Sequence, residues 1–380
     1  MTLPLPFRLA MCWLVALAAT APAVAAPFPE TSPGSGELSR GMVAPHERVP
    51  ARGTPSLRSQ RRIRKGGVVE ISAGGGWLYY REHIDLEPIV SEYRRALEGV
   101  RDELGERRFR VDSVFAVGYP KSNEYGPSYG VSVSYRHNAL QGNLFLRPFL
   151  GLLSGPRHVY DGSTQAYYAP PDTVDGKVLY GVYFDPVKGT KSNWFLRQGV
   201  GLGLRLATGT LECELGVGLE GRLWIRYLGG VLYKEHYRWW RVPAGVQLWA
   251  FLPGGRRWGV SFEGVLMPRG EMDVYFDRVL YNMVSETSYD SLRSAPVVLG
   301  NRSGLNASVV LERTVSDALA LTLRPWVEWY RFGQSTTTTL EGLSGGRWVR
   351  AQRFAEFLEP ASTTWWWGLD LGVSRLVRYR

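Results

Sequence analysis

Between Leu211 and Tyr227 the chain reads LECELGVGLEGRLWIRY, and its polarity alternates strictly. Leu211, Cys213, Leu215, Val217, Leu219, Gly221, Leu223, Ile225 and Tyr227 carry no charge, whereas Glu212, Glu214, Glu220, Arg222 and Arg226 stand between them with Gly216, Gly218 and Trp224. Successive side chains of a β-strand leave on opposite faces, so a period of two over this length predicts one strand with an apolar face and a charged or empty one. The same alternation recurs through Phe109–Tyr119, Ser128–Arg136, Leu144–Leu152, Leu196–Leu206, Trp240–Ala250, Trp258–Leu266, Leu305–Glu312, Leu319–Tyr330 and Trp367–Ser374. Ten strands are legible. One segment changes period: from Asp85 to Leu104, Ile89, Tyr93, Ala96, Leu97, Val100 and Leu104 recur at helical spacing, with Asp85 as a cap and Gly105 after the end.

Alternation alone fits a soluble sheet as well as a membrane barrel, and three features decide between them. The polar face is rich in glycine and mixes both charge signs, which suits an enclosed lumen. The strands are longer than the ~5–6 residues usual in soluble sheets and reach the ~9–11 that a tilted membrane strand needs. The connections also alternate in length. Those near Ala139–Gly142, Thr208–Thr210, Leu252–Arg257 and Val315–Asp317 are short; Gly155–Ser192, Gly270–Arg302 and Gly333–Pro360 are long, and Leu228–His236 is intermediate. Short turns on one side and long loops on the other is the organisation of outer-membrane barrels.

On these residues the segment 107–380 resembles a Gram-negative outer-membrane β-barrel protein, as a class. The resemblance implies an all-β, transmembrane, antiparallel up-and-down barrel. Its terminal strand, with Leu369, Leu371, Val373, Val377 and Tyr379 in one register, would be recognised by the barrel-assembly machinery. Arg375 and the final Arg380 depart from that pattern; Arg375 near the strand end can lay its stem in lipid and its head in water. Gly67–Tyr80 is strand-like but interrupted by Gly74-Gly75-Gly76. It is assigned with the helix to a small periplasmic strand–helix segment, 67–106. Twelve strands is the alternative, with Gly67–Tyr80 and Val178–Phe184 added. Pro148, Pro243 and Pro325 fall inside strands, where bulges are expected.

The N-terminus completes the placement. Arg8, the apolar run Leu9–Ala19 and Ala23-Val24-Ala25 have the form of a secretory signal peptide, 1–25, cleaved near Ala25. The mature chain then holds one cysteine, Cys213, and no internal disulfide. Residues 26–66 carry eight Arg/Lys against three Glu without apolar periodicity, a basic disordered linker. An exported chain of this kind has outer-membrane lipids as partners, not nucleic acid, in spite of a net charge of +10.

Candidate chemistry is thin. Arg147, Arg197, Arg205, Glu212, Glu214, Glu220, Arg222, Arg226, Arg241, Glu263, Arg324 and Glu328 fall on polar-face positions and are the lumen-lining, pore-candidate residues. In a ten-stranded barrel, where side chains nearly fill the interior, they form either a cross-lumen salt-bridge network or the lining of a restricted pore. No metal-ligand spacing, phosphate-binding loop or cofactor motif is present. His137-Asn138, His158 with Asp161, and Glu235 with His236 are the pairs an outer-membrane hydrolase would use. The expected function is a non-enzymatic barrel: a restricted small-solute channel, a transport accessory or a structural barrel. The alternative is an outer-membrane protease or lipid hydrolase with its site on the external rim.

Overall fold

The computed structural model describes residues 66–87, 90–91, 94, 113–174, 177–208, 210–228, 232–279, 287–316, 318–351 and 358–377. Ten antiparallel strands form a closed ring: β1 (Gly66–His83), β3 (Ser122–Ala139), β4 (Leu144–Val174), β5 (Lys177–Thr208), β6 (Leu211–Tyr227), β7 (Leu232–Leu252), β8 (Arg256–Phe276), β11 (Gly300–Ser316), β12 (Leu319–Gly333) and β15 (Ala361–Val377). Pairing of β1 with β15, from Gly67↔Val377 to His83↔Ala361, closes the ring. Each ring strand otherwise pairs with its neighbours in chain order, which leaves no sheet edge within the barrel. Five short strands lie off the ring: β2 (Ser113–Val117), β9 (Ser291–Ser294), β10 (Val297–Val298), β13 (Leu340–Ser344) and β14 (Arg347–Arg350).

The strand number matches the sequence expectation, but the strands are not the same ten. Gly66–His83 is the first barrel strand, and the barrel therefore begins some forty residues before the expected boundary at 107. Of the stretch expected to open the barrel, Ser113–Val117 among the described residues forms β2, which runs parallel to β5 outside the ring. The glycine run that suggested a break in β1 has a packing role. A Cβ on Gly76 would stand 3.1 Å from both the Trp326 and Trp366 rings, which fill the lumen beside it, so the strand continues because the residue is small. Val178–Phe184, the candidate for a further strand, belongs to β5. Pro148 and Pro325 sit in unbroken register opposite Val200 and Leu369, because the flanking ladder bonds carry one missing donor; only near Pro243 does the register shift, between Trp240 and Val242.

Short connections at 140–143, 209–210, 253–255 and 317–318, the start of β1 and the end of β15 all lie at one end of the barrel. The other end is elaborated. The segment expected as a loop at Gly155–Ser192 is instead a continuation of β4 and β5, which reach 31 and 32 residues, roughly three times the ~9–11 needed to cross a bilayer at a tilt. Of the expected helix Asp85–Leu104 most residues lie outside the described ones; Leu86 and Glu87 are helical, and Asp85 Oδ1 accepts the Glu87 N–H at 3.2 Å.

Outward-facing residues make a continuous apolar belt. Ile71, Val131, Leu202, Leu266 (69% exposed) and Leu371 (62% exposed) lie on five different strands with no protein covering them. A soluble monomer does not expose contiguous apolar area on this scale around its whole circumference. At the long-loop edge of the belt stand Trp77, Tyr79, Tyr129, Trp194, Tyr227, Trp240, Trp329 and Trp365, residues suited to a lipid–water interface. The fold is a transmembrane β-barrel.

Candidate functional site: the lumen and its external mouth

Three layers of side chains occupy the lumen, all from the inward positions of the alternation. At the short-turn end, Arg136 of β3 forks onto Glu214 of β6 at 2.6 and 3.1 Å, and Arg205 of β5 hydrogen-bonds Glu214 at 3.1 Å and forms an ion pair with Glu212 at 3.0 Å. Arg136 lies 3.8 Å over the Phe145 ring. Gly203 makes room for that ring, since a Cβ there would fall 2.2 Å from it. The glycine-rich polar face is therefore a face that accommodates large side chains from neighbouring strands. Arg257 and Glu312 form a two-point pair nearby at 2.7 Å.

The middle layer crosses the barrel. Arg222 of β6 bonds Glu220 at 2.6 Å and reaches Glu328 of β12, four strands away around the ring, with both terminal nitrogens. Arg241 adds a third bond to Glu328 at 2.8 Å and one to Asn306 at 3.0 Å, and Asn306 passes the chain to Glu263. Arg324 pairs with Glu70 at 2.9 Å. Bidentate, charge-assisted bonds of this kind fix both partners in place. Between this layer and the short-turn end a cavity of about 260 Å³ remains, bordered by Arg147, Arg197, Glu214, Glu220, Arg222, Glu263, Arg324 and Glu328 among others. Arg197 lies flat over Gly151, where a Cβ would sit 2.6 Å from its Nε, and that nitrogen has no hydrogen-bond partner.

Of the twelve lumen candidates, eight border this cavity. Arg205 and Glu212 belong to the layer below it, Arg241 is buried within the crossing network, and Arg226 lies in the third layer. That layer fills the external mouth. Leu78, Tyr80, Phe195, Trp224, Tyr237, Trp239, Met272, Tyr330, Phe332 and Trp366 form one buried cluster, with Trp224 stacked at 5.2 Å on both Phe195 and Tyr237. The Arg226 guanidinium is embedded beside it, 4.5 Å over the Tyr80 ring, bonded to Glu124 at 3.0 and 3.1 Å and to Glu235 at 2.6 Å. From the loop before β15, Glu359 enters the mouth and accepts hydrogen bonds from the Tyr80 and Tyr237 hydroxyls, while Ser335 holds its backbone at 2.9 and 3.0 Å. Tyr80, Glu124, Trp224, Tyr237 and Glu359 were not singled out by the sequence. Tyr80 and Trp224 could have been, as aromatics on a polar face; Glu359 lies in a loop with no periodicity.

Electrostatics divide these carboxyls. Burial opposes ionisation of Glu124, but Arg226 and the His158 hydrogen bond hold it down at about 2. Glu359 is pushed well above the carboxylate range by burial and by the neighbouring Glu82 and Glu235, which favours its protonated form. A carboxyl whose folded pKa is raised contributes stability below its ordinary value of about 4.5, and loses it as pH rises through the folded value. Glu359→Gln keeps the acceptor and removes the proton. Urea unfolding at pH 5 and pH 9 should therefore show a smaller loss of stability at pH 9 for the variant than for the parent chain; an equal loss in both would refute the upward shift of Glu359.

The hydrolase pairs do not assemble. Glu235 faces the lumen, and His236, the next residue on the strand, faces outward against the Tyr275 ring at 5.0 Å. Asp161 pairs with Lys121 and not with His158. Asn138 turns inward to the Gly66 carbonyl at 3.1 Å, on the face opposite to His137. His158 makes a triad-like line that the sequence did not suggest: Nδ1 is 3.0 Å from Glu124 Oε1, and Nε2 is 3.2 Å from Ser128 Oγ. However, Nε2 is also 3.1 Å from the Pro127 carbonyl, which can only accept, so that nitrogen carries a hydrogen and cannot take one from Ser128. All three side chains are completely buried. With Asn193 and Arg226 the cluster ties four strands together, β3, β4, β5 and β6.

No protein-family model and no curated protein matches the chain. Among solved structures, the outer membrane protease OmpT from Escherichia coli is similar with a TM-score of 0.46 and 9% identity, over 82% of this chain and 97% of that one. The outer membrane protein OprG from Pseudomonas aeruginosa is similar with a TM-score of 0.30 and 8% identity, over 83% and 98%. The Pseudomonas putida toluene transporter TodX gives 0.27 and 8%, over 82% and 89%.

Proposed function

We propose that this chain is a non-enzymatic barrel of the bacterial outer membrane, with a sealed lumen, that presents an external β-structure instead of conducting solutes. The observation that carries this reading is the Arg222–Glu328 pair, which bars the lumen at mid-height beneath a mouth packed with aromatic rings. In a filled interior of this width the charged residues act as struts between opposite walls. The cavity below them is a dead end. The external ends of β4 and β5, with β2 along β5, and on the β8 side the separate extension of β9, β13 and β14, are the parts available for recognition. Export through the signal peptide cleaved near Ala25, and engagement of the assembly machinery by the closing strand β15, belong to the same reading.

Planar-bilayer recording tests it. The purified protein should give no discrete current steps, and Arg222→Ala should remain silent because the aromatic layer still closes the mouth. Regular single-channel steps from the parent chain would make it a pore and overturn the proposal.

A further inference from the structure

Around the outer wall, one sector at the edge of the apolar belt differs from the rest. Tyr79 of β1, Trp365 of β15 and Trp329 of β12 are register partners, forming an aromatic row across three strands. Two residues further towards the long loops, Arg81, Thr363 and Arg331 form the next outward row on the same strands. Both arginines are exposed, and neither has an ion-pair partner among the described residues. That distinguishes them from Arg238 and Arg269, the outward arginines of the β8 side, which are held by Asp273 and Glu271. His83 stands one row higher and hydrogen-bonds Thr363 at 2.8 Å.

A surface depression of about 690 Å³ opens beside the row, bordered by Arg81, His83, Tyr119, Lys121, Asn123 and Asp85. Asp161 is taken by Lys121, Glu82 turns inward towards Arg226 at 3.6 Å, and Asp85 turns its Oδ1 to the Glu87 N–H. The depression therefore presents the Arg81 guanidinium and His83 against one exposed carboxylate, and Arg331 stands two strands away in the same outward row, across Thr363. Its depth in the membrane is set by the aromatic row directly below it.

We propose that this sector is a binding site for the phosphate of an anionic membrane lipid, with Arg81 and Arg331 gripping the headgroup and Tyr79, Trp365 and Trp329 lying along the upper acyl chain. The planar guanidinium fork matches phosphate oxygens, and Tyr and Trp rings settle at the headgroup level. A cationic cluster next to an anionic lipid surface gains affinity with each arginine, and two act together. The depth of the site selects a lipid over a soluble anion: a free phosphate would gain nothing from the aromatic row. Burial together with Arg81 and Arg331 already pulls His83 below its ordinary value, a sign of the uncompensated positive potential there.

Native mass spectrometry of the full chain released from detergent containing phosphatidic acid or phosphatidylcholine tests the site. Retention of one phosphatidic acid should exceed that of phosphatidylcholine by about tenfold, and Arg81→Gln with Arg331→Gln should abolish the preference. Arg238→Gln with Arg269→Gln should leave it intact. Folding of each variant is checked by the faster migration of unheated samples in SDS gels; if the double variant does not fold, each single variant should still lower the preference. Equal retention of the two lipids by the parent chain, an unchanged preference in the Arg81/Arg331 variants, or full displacement of the lipid by millimolar inorganic phosphate would overturn the proposal.

Discussion

Arg226→Ala should destabilise the barrel by about 3–5 kcal/mol, the range for removing one partner of a buried ion pair. Arg226 is 1% exposed and joins β3 to β7 through Glu124 and Glu235, with Tyr237 as a further partner at 3.2 Å. Its removal strands two buried carboxyls beside Glu82 and Glu359, with no other guanidinium paired to them among the described residues. Most of the loss would come from those orphaned acids and not from the missing side chain. Two companions separate the causes. Adding Glu124→Gln and Glu235→Gln to Arg226→Ala should recover much of the stability, whereas Arg226→Lys should recover little, since a single ammonium cannot span both carboxylates and lie flat over Tyr80. Urea-dependent folding into phospholipid vesicles gives the values. A change below about 1 kcal/mol for Arg226→Ala would mean that the mouth is hydrated and the network weak.

The alternation along Leu211–Tyr227 gives both faces of β6 correctly, including the inward direction of Glu220, Arg222 and Arg226, because side-chain direction in a strand depends only on the parity of position. Parity cannot say who meets whom across the lumen. Arg226 and Glu124 lie 102 residues apart, and Arg222 and Glu328 lie 106 apart; each pair depends on the number of strands and the stagger between them. For the same reason the twelve lumen candidates share a face without sharing a layer. The first strand was hidden because Gly74-Gly75-Gly76 has the composition of a turn. The packing that requires glycine there, against Trp326 and Trp366, comes from strands 250 and 290 residues later. The β4 and β5 extensions were read as loops because, beyond the lipid, neither face needs to be uniformly apolar and the period-two signal fades.

The outward face is equally exacting. Val217 is 48% exposed at the middle of β6, flanked by Leu202 and Ala244, so Val217→Arg would place a guanidinium near the bilayer midplane at a cost of about 2–4 kcal/mol. The same arginine near the interfaces, at Leu211 or Tyr227, should cost about 0–1 kcal/mol. One face of this strand lies in lipid and the other in a filled lumen, an arrangement that can be read out by nitroxide labels placed singly at Leu215, Gly216, Val217, Leu219 and Glu220 after replacement of Cys213, with collision rates measured against oxygen and a water-soluble nickel complex. Labels at 215, 217 and 219 should collide freely with oxygen, and labels at 216 and 220 should be sheltered from the nickel complex. If 216 and 220 met the nickel complex as often as a label on an exposed loop does, the lumen would be an open aqueous channel and the sealed barrel described above would be wrong.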